Sequence, residues 1–278
     1  MSRTAFITGA STGIGRATAQ RFQAEGWNVV ATMRSPKDGA DLAALPRVLV
    51  TRLDVTDSAS ISSAVSEARA AFGGIDVLVN NAGFGAYGAL EVTDMDVVRR
   101  QFDTNVIGLL EVTKAVLPTM REQGSGVIVN ISSVGGRMAF PLGSLYHGSK
   151  FAVEGISDAL TYELAPLGIS VKVIEPGLVD TDFAGRSFVL SLDPDGGPYQ
   201  ETVGAVLTAF AAIQGQGSAT AGTVAGAIYG AATDGSRQLR YIVGDDAVTT
   251  LDARAAMDDV AFADMMRGNF GLAADAGN

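Results

Sequence analysis

The first thirty or so residues constrain this chain more than any other stretch. Thr4 to Ile7 is a short apolar run of strand character, and it leads directly into Thr8-Gly9-Ala10-Ser11-Thr12-Gly13-Ile14-Gly15. A helical pattern follows to about Glu25, where Gly26 stops it, and Asn28 to Thr32 reads as a second strand. In a strand, glycine loop, helix, strand unit the glycines let the backbone approach a pyrophosphate. The helix N-terminus adds amide donors and the positive end of its dipole. The order Gly9, Gly13, Gly15 departs from the common G-x-G-x-x-G spacing. Taken alone, the loop therefore also fits a tightly packed turn.

The residue after the second strand bears on which dinucleotide would bind. A carboxylate there would hold a ribose 2′-hydroxyl, whereas an arginine accommodates a 2′-phosphate. Here the strand ends Ala31-Thr32-Met33-Arg34, with no carboxylate. Arg34 offers a planar, bidentate donor set for phosphate. The expectation is NADP(H), with a solvated loop arginine as the alternative.

Strands and helices continue to alternate. Arg47 to Val55 reads as a third strand ending in Asp54-Val55, and Asp57 or Ser58 caps a helix to about Phe72. Asp76 to Val79 is a fourth strand running into Asn80-Asn81-Ala82-Gly83. One long helix is expected from about Asp94 to Met120, with Asn105 in its apolar middle. A buried amide needs partners, which either the backbone or a site could supply. Gly126 to Ile131 is a fifth strand with Ser132-Ser133 at its carboxyl end. A helix through Tyr146 to about Leu167 and a sixth strand, Ser170 to Ile174, follow. Near-continuous Val and Ile in the strands argue a parallel sheet covered on both faces. Beyond Thr181 the pattern loosens. A helix over Thr223 to Ala232, a last strand at Leu239 to Val243 and a helix from about Thr249 to Met266 complete the chain.

Composition narrows the classes. The 278 residues, 47% of them hydrophobic and 18% charged, suit a folded chain with a sizeable core. A net charge of −10 argues against a nucleic-acid surface or a polybasic membrane patch. No cysteine means no disulfide or thiolate chemistry, and one histidine cannot supply a multi-histidine metal site. No apolar run is long enough for a membrane span, and no signal peptide precedes the first strand, so a cytoplasmic address is expected.

Within this frame Tyr146 and Lys150 stand four apart on one helical face. A nearby ammonium favours the phenolate and should lower the tyrosine pKa, which suits proton transfer at ordinary pH. The pair alone is equally a solvated helix face. His147 points about 100° away around the helix and reads as a packing or surface residue.

Taken together, these motifs resemble the short-chain dehydrogenase/reductase family. The motifs are Thr8-Gly9…Gly13-Ile14-Gly15, Asp54-Val55, Asn80-Asn81-Ala82-Gly83, Asn105, Ser132-Ser133, Tyr146…Lys150 and Pro176-Gly177…Thr181. The likeness covers residues 4–181 strongly and extends more loosely to the last strand near residue 245. Ser133-Val134-Gly135-Gly136 and the Ala-Thr-Met-Arg strand end look similar to the NADP-linked branch that contains 17β-hydroxysteroid dehydrogenases.

The resemblance implies a Rossmann-type, doubly wound α/β fold. Its mainly parallel sheet would have seven strands in the order 3-2-1-4-5-6-7, with helices on both faces. Residues 1–278 would form a single dinucleotide-binding and catalytic domain, with 182–222 covering substrate and 247–278 a C-terminal helical extension. It implies an NADP(H)-dependent oxidoreductase acting on a carbonyl or secondary alcohol. Tyr146 would be the acid/base, Ser133 would orient the oxygen, Lys150 would tune Tyr146 and bind the nicotinamide ribose, and Asn105 would hold a relay water. Gly9, Gly13, Ile14 and Gly15 would cradle the pyrophosphate, and Ser11 and Arg34 the 2′-phosphate. Asp54 and Val55 would flank adenine, Asn81, Ala82 and Gly83 would line a ribose wall, and Pro176, Gly177, Val179 and Thr181 would hold the carboxamide side. No metal is required, and a homodimer or homotetramer is implied. Candidate substrate-wall residues are Phe84, Tyr87, Arg137, Met138, Leu142, Phe183 and Phe188. Two rival readings are a nucleotide-sugar epimerase or dehydratase and a catalytically silent NADP-sensing or scaffold protein. The glycine spacing and modest C-terminal part oppose the first; the intact Ser133, Tyr146, Lys150 set opposes the second.

Overall fold

The computed structural model describes residues 2–180, 187–193, 195–213 and 219–272. Its strands are β1 (Thr4–Ile7), β2 (Asn28–Met33), β3 (Val48–Arg52), β4 (Val77–Asn80), β5 (Gly85–Gly88) and β6 (Gly126–Ile131). These are followed by β7 (Ile169–Pro176), β8 (Val179–Asp180), β9 (Phe188–Ser191), β10 (Ala219–Thr220) and β11 (Arg240–Val243). Seven of them form one sheet in the order β11-β7-β6-β4-β1-β2-β3, and every pairing in it is parallel. Counted within that sheet alone, this is the 3-2-1-4-5-6-7 order that the family resemblance implies. The order reverses at β1 and β4, and in open parallel sheets ligands bind beyond the strand carboxyl ends at such a reversal.

The helices are α1 (Gly13–Ala24), α2 (Ala40–Ala43), α3 (Ser58–Phe72), α4 (Met95–Phe102), α5 (Gly108–Gln123) and α6 (Ser144–Leu164). The last four are α7 (Gln200–Ile213), α8 (Ala221–Thr233), α9 (Asp245–Ala256) and α10 (Asp259–Asn269). Side chains alternate across each strand, so β1 feeds two cores. Ala5 and Ile7 join Val29, Val79, Ile131, Phe22 and Ile228 on one face, under α1 and α8. Phe6 joins Val30, Leu78, Ile128, Ile61, Val112 and Met120 on the other, under α3 and α5. All of these are buried, which explains why the strands are apolar throughout rather than alternating. Phe22, Trp27 and Tyr229 meet edge to face and lock α1 to α8.

Four boundaries differ from the sequence expectation. The long helix from Asp94 to Met120 is two helices joined by a π-turn, Asp103–Ile107, with Asn105 buried at its centre. Gly108 then starts α5 hard against Val55, where a β-carbon would lie 2.7 Å from the valine side chain. The Tyr146 helix ends at Leu164, because Pro166 cannot continue the hydrogen-bond ladder and a 3-10 turn follows. The C-terminal helix expected from Thr249 to Met266 begins earlier, at Asp245, and breaks at Met257. There Asp258 accepts the Ala261 N–H at 2.8 Å and caps a new helix. Finally, Gly85–Gly88, between the fourth strand and the long helix where no strand was expected, form β5, which pairs in parallel with β9 from the segment beyond residue 182.

Candidate active site

The glycine loop is folded by contacts across the sheet edge. Gly9 and Gly13 adopt φ of +66° and +53°, a region costly for other residues. Thr8 Oγ1 accepts the N–H groups of Asn81 and Ala82, each at 3.0 Å. Asn81 Nδ2 donates to the carbonyls of Thr8 and Gly9 at 2.9 and 3.2 Å. A β-carbon on Gly15 would collide with the Gly9 carbonyl and the Asn81 amide. Asn81, Ala82 and the loop Gly9, Gly13, Ile14, Gly15 are thus one packed unit at the carboxyl ends of β1 and β4. Thr12, the residue preceding α1, makes no side-chain cap, so the helix's first amides face outward from the loop without one.

Beside this unit, Arg34 is exposed at the end of β2. Ser11 is held through its carbonyl, which accepts from Arg16 at 2.8 Å, and Arg16 also pairs with Asp41. Beyond β3, Asp54 folds back onto Thr56, accepting its N–H at 3.0 Å and its hydroxyl at 2.8 Å, while Val55 is buried. Pro176 ends β7 against β11, and Gly177 N–H donates to Val243 at 3.0 Å. The next residue, Leu178, donates its N–H to Asp246 at 2.7 Å. Val179 follows in β8. Thr181 and Phe183 lie outside the described residues.

On the other side of the same edge, Ser133 follows β6 and Tyr146 lies in the first turn of α6. Their hydroxyls are hydrogen-bonded. Ser133 Oγ also accepts the Gly135 N–H at 3.1 Å and donates to the Pro176 carbonyl at 3.4 Å. Lys150, one turn after Tyr146, donates to the Ile131 carbonyl at 2.8 Å and sits 5.8 Å from the Tyr146 ring centre. The expected effect of this lysine on the phenol is not what the geometry gives. Burial raises the Tyr146 pKa above its ordinary value, and the Ser133 hydrogen bond is the opposing influence. Lys150 is itself desolvated, which lowers its pKa to about 8 against the favourable charge of Glu154.

Asn105 is engaged on both sides of its amide. Oδ1 accepts the Phe84 N–H at 3.0 Å, and Nδ2 donates to the Phe84 carbonyl at 2.9 Å and to Ser149 Oγ at 3.2 Å. Sequence reading missed its partner Gln101, which bonds the Phe84 carbonyl, the Ala86 N–H and the same Ser149. A second amide one helical turn before Asn105 was the available signal. Sequence reading also missed the order in the aromatic wall. Tyr87 is stacked between Tyr146, 5.4 Å away, and Phe188, 5.1 Å away. Phe210, Phe140 and Phe270 extend the wall edge to face. Of the other wall candidates, Phe84 lies beneath Arg100, and Met138 and Leu142 pack into the cluster around Val206 and Leu251. Arg137 pairs with buried Glu175.

Residues 3–188 match the family model described as short chain dehydrogenase. The chain belongs to that family. Its oxidoreductase relatives include an uncharacterized oxidoreductase of Schizosaccharomyces pombe, 42% identical over 245 residues, which are 86% of this chain and all of the relative. Human 17-beta-hydroxysteroid dehydrogenase type 1 is 39% identical over 195 residues, 66% of this chain and 59% of that protein. Among solved structures, a short-chain dehydrogenase from Streptomyces avermitilis superposes with a TM-score of 0.81 at 37% identity, covering 96% of this chain and 99% of the other. A nicotinamide dinucleotide is common to further family structures. ElxO was solved with NADP (28% identity, TM-score 0.72, covering 87% and 98% of the two chains). A Burkholderia phymatum member was solved with NAD (27%, TM-score 0.79, covering 92% and 93%). Membership brings a small-molecule substrate and a nucleotide cofactor. Among the described residues, no helix of this short-chain dehydrogenase is long and apolar enough to cross a membrane.

Proposed function

We propose that the chain is an NADP(H)-dependent oxidoreductase that interconverts a carbonyl and a secondary alcohol, with Tyr146 as general acid/base, on a mainly apolar small molecule. The observation that carries this reading is the hydrogen bond between Ser133 and Tyr146 at the sheet edge, one helical turn from Lys150. Gly9, Gly13, Ile14 and Gly15 would bind the pyrophosphate, Asp54 and Val55 the adenine side, and Asn81, Ala82 and Gly83 a ribose. Pro176, Gly177, Val179 and Thr181 would hold the carboxamide side. The 2′-phosphate falls to Ser11 and Arg34. Arg34 is exposed with no ion pair among the described residues, so its guanidinium is available.

When bound, the nicotinamide supplies or accepts the hydride. Ser133 orients the substrate oxygen by a hydrogen bond, and Tyr146 gives that oxygen its proton as the new alcohol forms. The raised Tyr146 pKa keeps the proton on the phenol until charge develops on the substrate oxygen during carbonyl reduction. Lys150 holds its position through the Ile131 carbonyl and offers its remaining donors to a ribose. Asn105 fixes the Phe84 turn, and a water held in a relay would have to use what its amide leaves unengaged. The segment 182–222 would cover the substrate through Phe188 and Phe210, which reach Tyr87 beside Tyr146.

The test is NADPH oxidation against a panel of ketones and aldehydes, followed optically, with Tyr146→Phe as control. The variant should lose about a thousandfold or more in turnover while NADPH still binds. Near-normal turnover would remove Tyr146 from the reaction. Tight NADPH binding without turnover of any carbonyl would replace the enzyme reading with an NADP-sensing one.

A further inference from the structure

Behind Ser133 and Lys150 lies a buried cluster of charge that the reaction does not use. Glu175, next to last in β7, has no solvent exposure, and Glu154, one turn beyond Lys150 on α6, is 5% exposed. Arg240 of β11 stands between them: its Nε is 2.9 Å from Glu154 and 3.4 Å from Glu175. Its other end bonds Asp158 of α6 at 2.8 Å. Arg137, in the turn after Ser133, reaches the second Glu175 oxygen at 3.3 Å. Two of these three carboxylates, Glu154 and Glu175, thus converge on one guanidinium nitrogen, with the Lys150 ammonium on the Glu154 side and no solvent at Glu175.

Two buried oxygens of this cluster make no hydrogen bond, Ser132 Oγ and Glu154 Oε1, and Glu175 Oε1 has only the 3.4 Å ion pair with Arg240. They belong to one place. A β-carbon on Gly136 would lie 2.6 Å from Ser132 Oγ, 2.9 Å from Glu154 Cγ and 3.1 Å from the Lys150 carbonyl. Buried acceptors left unpaired are costly. One added proton on Glu175 would turn an acceptor into a donor and relieve its repulsion with Glu154.

We infer that Glu175, set against Glu154 across Arg240, holds a proton behind Ser133 and Lys150 and acts as a positioning device for both. Each carboxyl is covalently close to what it would position. Glu175 precedes Pro176, whose carbonyl accepts from Ser133, and Glu154 follows Lys150 by one helical turn. Ser132, whose hydroxyl faces the cluster, adjoins Ser133. The charged groups facing Glu175 are Glu154, Arg137 and Arg240. Burial first, then Glu154, raises the Glu175 pKa to about 7, with Arg137 and Arg240 opposing. Glu175 therefore changes charge near neutral pH. Above that point its carboxylate and that of Glu154 repel across Arg240, and the strand ends that carry Ser133 and Pro176 separate from α6. Below it the cluster is compact. The coupling to turnover rests on the oxidoreductase reading above; the proton on Glu175 does not.

Two measurements on the full chain test this. Infrared difference spectra taken between about pH 5.5 and about pH 8.5 bracket the titration. They should show a protonated carboxyl that disappears with a midpoint near neutrality, is absent in Glu175→Gln and moves to lower pH in Glu154→Gln. Identical difference spectra in wild type and Glu175→Gln would overturn the proton assignment, and they need no substrate. The second measurement is kcat/KM for carbonyl reduction against pH. Above the midpoint it should fall by up to about tenfold per pH unit. Glu175→Gln, which imitates the protonated acid without ionising, should lose that limb. An unchanged limb in the variant would overturn the positioning role. If no carbonyl is reduced, the oxidoreductase reading fails separately. NADPH affinity then replaces kcat/KM, and the same loss of pH dependence in Glu175→Gln is expected.

Discussion

His147 Nε2 accepts the backbone N–H of Phe140 at 3.1 Å, and this single bond fixes the tautomer of the ring. An N–H can only donate, so Nε2 must be bare and Nδ1 must carry the proton, which it gives to the Gly135 carbonyl at 2.9 Å. The histidine thereby closes residues 135–140, the loop between Ser133 and Tyr146, onto α6. Glycine is required on both sides of the ring, since a β-carbon at Gly135 or Gly143 would lie 2.5 Å from it.

This clamp makes stability fall on acidification. Burial lowers the His147 pKa to about 4, with the Gly135 carbonyl opposing. The unfolded histidine takes up its proton near 6.5. Between these values the unfolded chain binds a proton that the folded chain refuses. The full stability is present above about pH 6.5 and is lost progressively down to about pH 4, by roughly 3 kcal/mol in all. Denaturant unfolding of wild type and His147→Gln across that range checks it. The variant should start lower by about 1–3 kcal/mol and lose less with pH. Parallel curves would mean that another group controls acid stability.

Arg34 should govern cofactor choice. Arg34→Ala should weaken NADP(H) binding by about tenfold to a hundredfold, the worth of hydrogen bonds to a charged group, and leave NAD(H) binding nearly unchanged. Fluorescence titration with both cofactors gives the comparison. Equal losses would remove the phosphate from this arginine.

Two glycines in helices should respond in opposite directions. Gly15→Ala drives a methyl into the Gly9 carbonyl and the Asn81 amide. It should cost about 1–3 kcal/mol and abolish dinucleotide binding. Gly155, within α6, has nothing within 4 Å of where a β-carbon would stand. Gly155→Ala should raise stability by about 0.5–1 kcal/mol. Thermal unfolding of both variants with and without NADPH separates the two cases, and a mild Gly15→Ala would contradict the packed-loop account.

Gln101 and Asn105 should act as one unit. Both amides donate to the Phe84 carbonyl and to Ser149 Oγ. Each alanine replacement alone should cost about 1–3 kcal/mol, because buried backbone groups lose their partners. Together they should deviate from the sum by at least about 0.5 kcal/mol. Strict additivity in a double-mutant cycle would show that the two amides are independent.

The alternation of strands and helices and the glycine loop were legible because each rests on local pattern: strand runs, glycine punctuation, a helix after each strand; the sheet order came with the family resemblance. What escaped was set by distant contacts. The π-turn at Asn105 leaves no mark in hydrophobic spacing, since Val106, Ile107 and Leu109 read equally well as α-helix. The lowered pKa of Lys150 and the raised pKa of Tyr146 come from burial, which spacing four apart does not report. The pairing of β5 with β9 joins residues about a hundred positions apart, and Gly85-Ala86-Tyr87-Gly88 alone has the composition of a turn. Glu175 directly follows the expected sixth strand, and nothing in the local pattern marks it. Its significance appears only when Arg240, from the far edge strand, arrives beside it.

The turn at residues 103–107 also works as a phase shifter. A π-turn carries one residue more than an α-turn, and each residue in a helix advances the side-chain direction by about 100°. With that extra residue, α4 can aim Gln101 at Phe84 while α5 presents Gly108 to Val55 and Val112 to the sheet. Deleting any one residue of the turn would restore an unbroken α-helix and misphase its two halves. Either the amide clamp or the sheet-facing stripe would then point to solvent. Length, rather than residue identity, is the quantity this helix cannot vary, and a single-codon deletion here should be more damaging than most substitutions along the same helix.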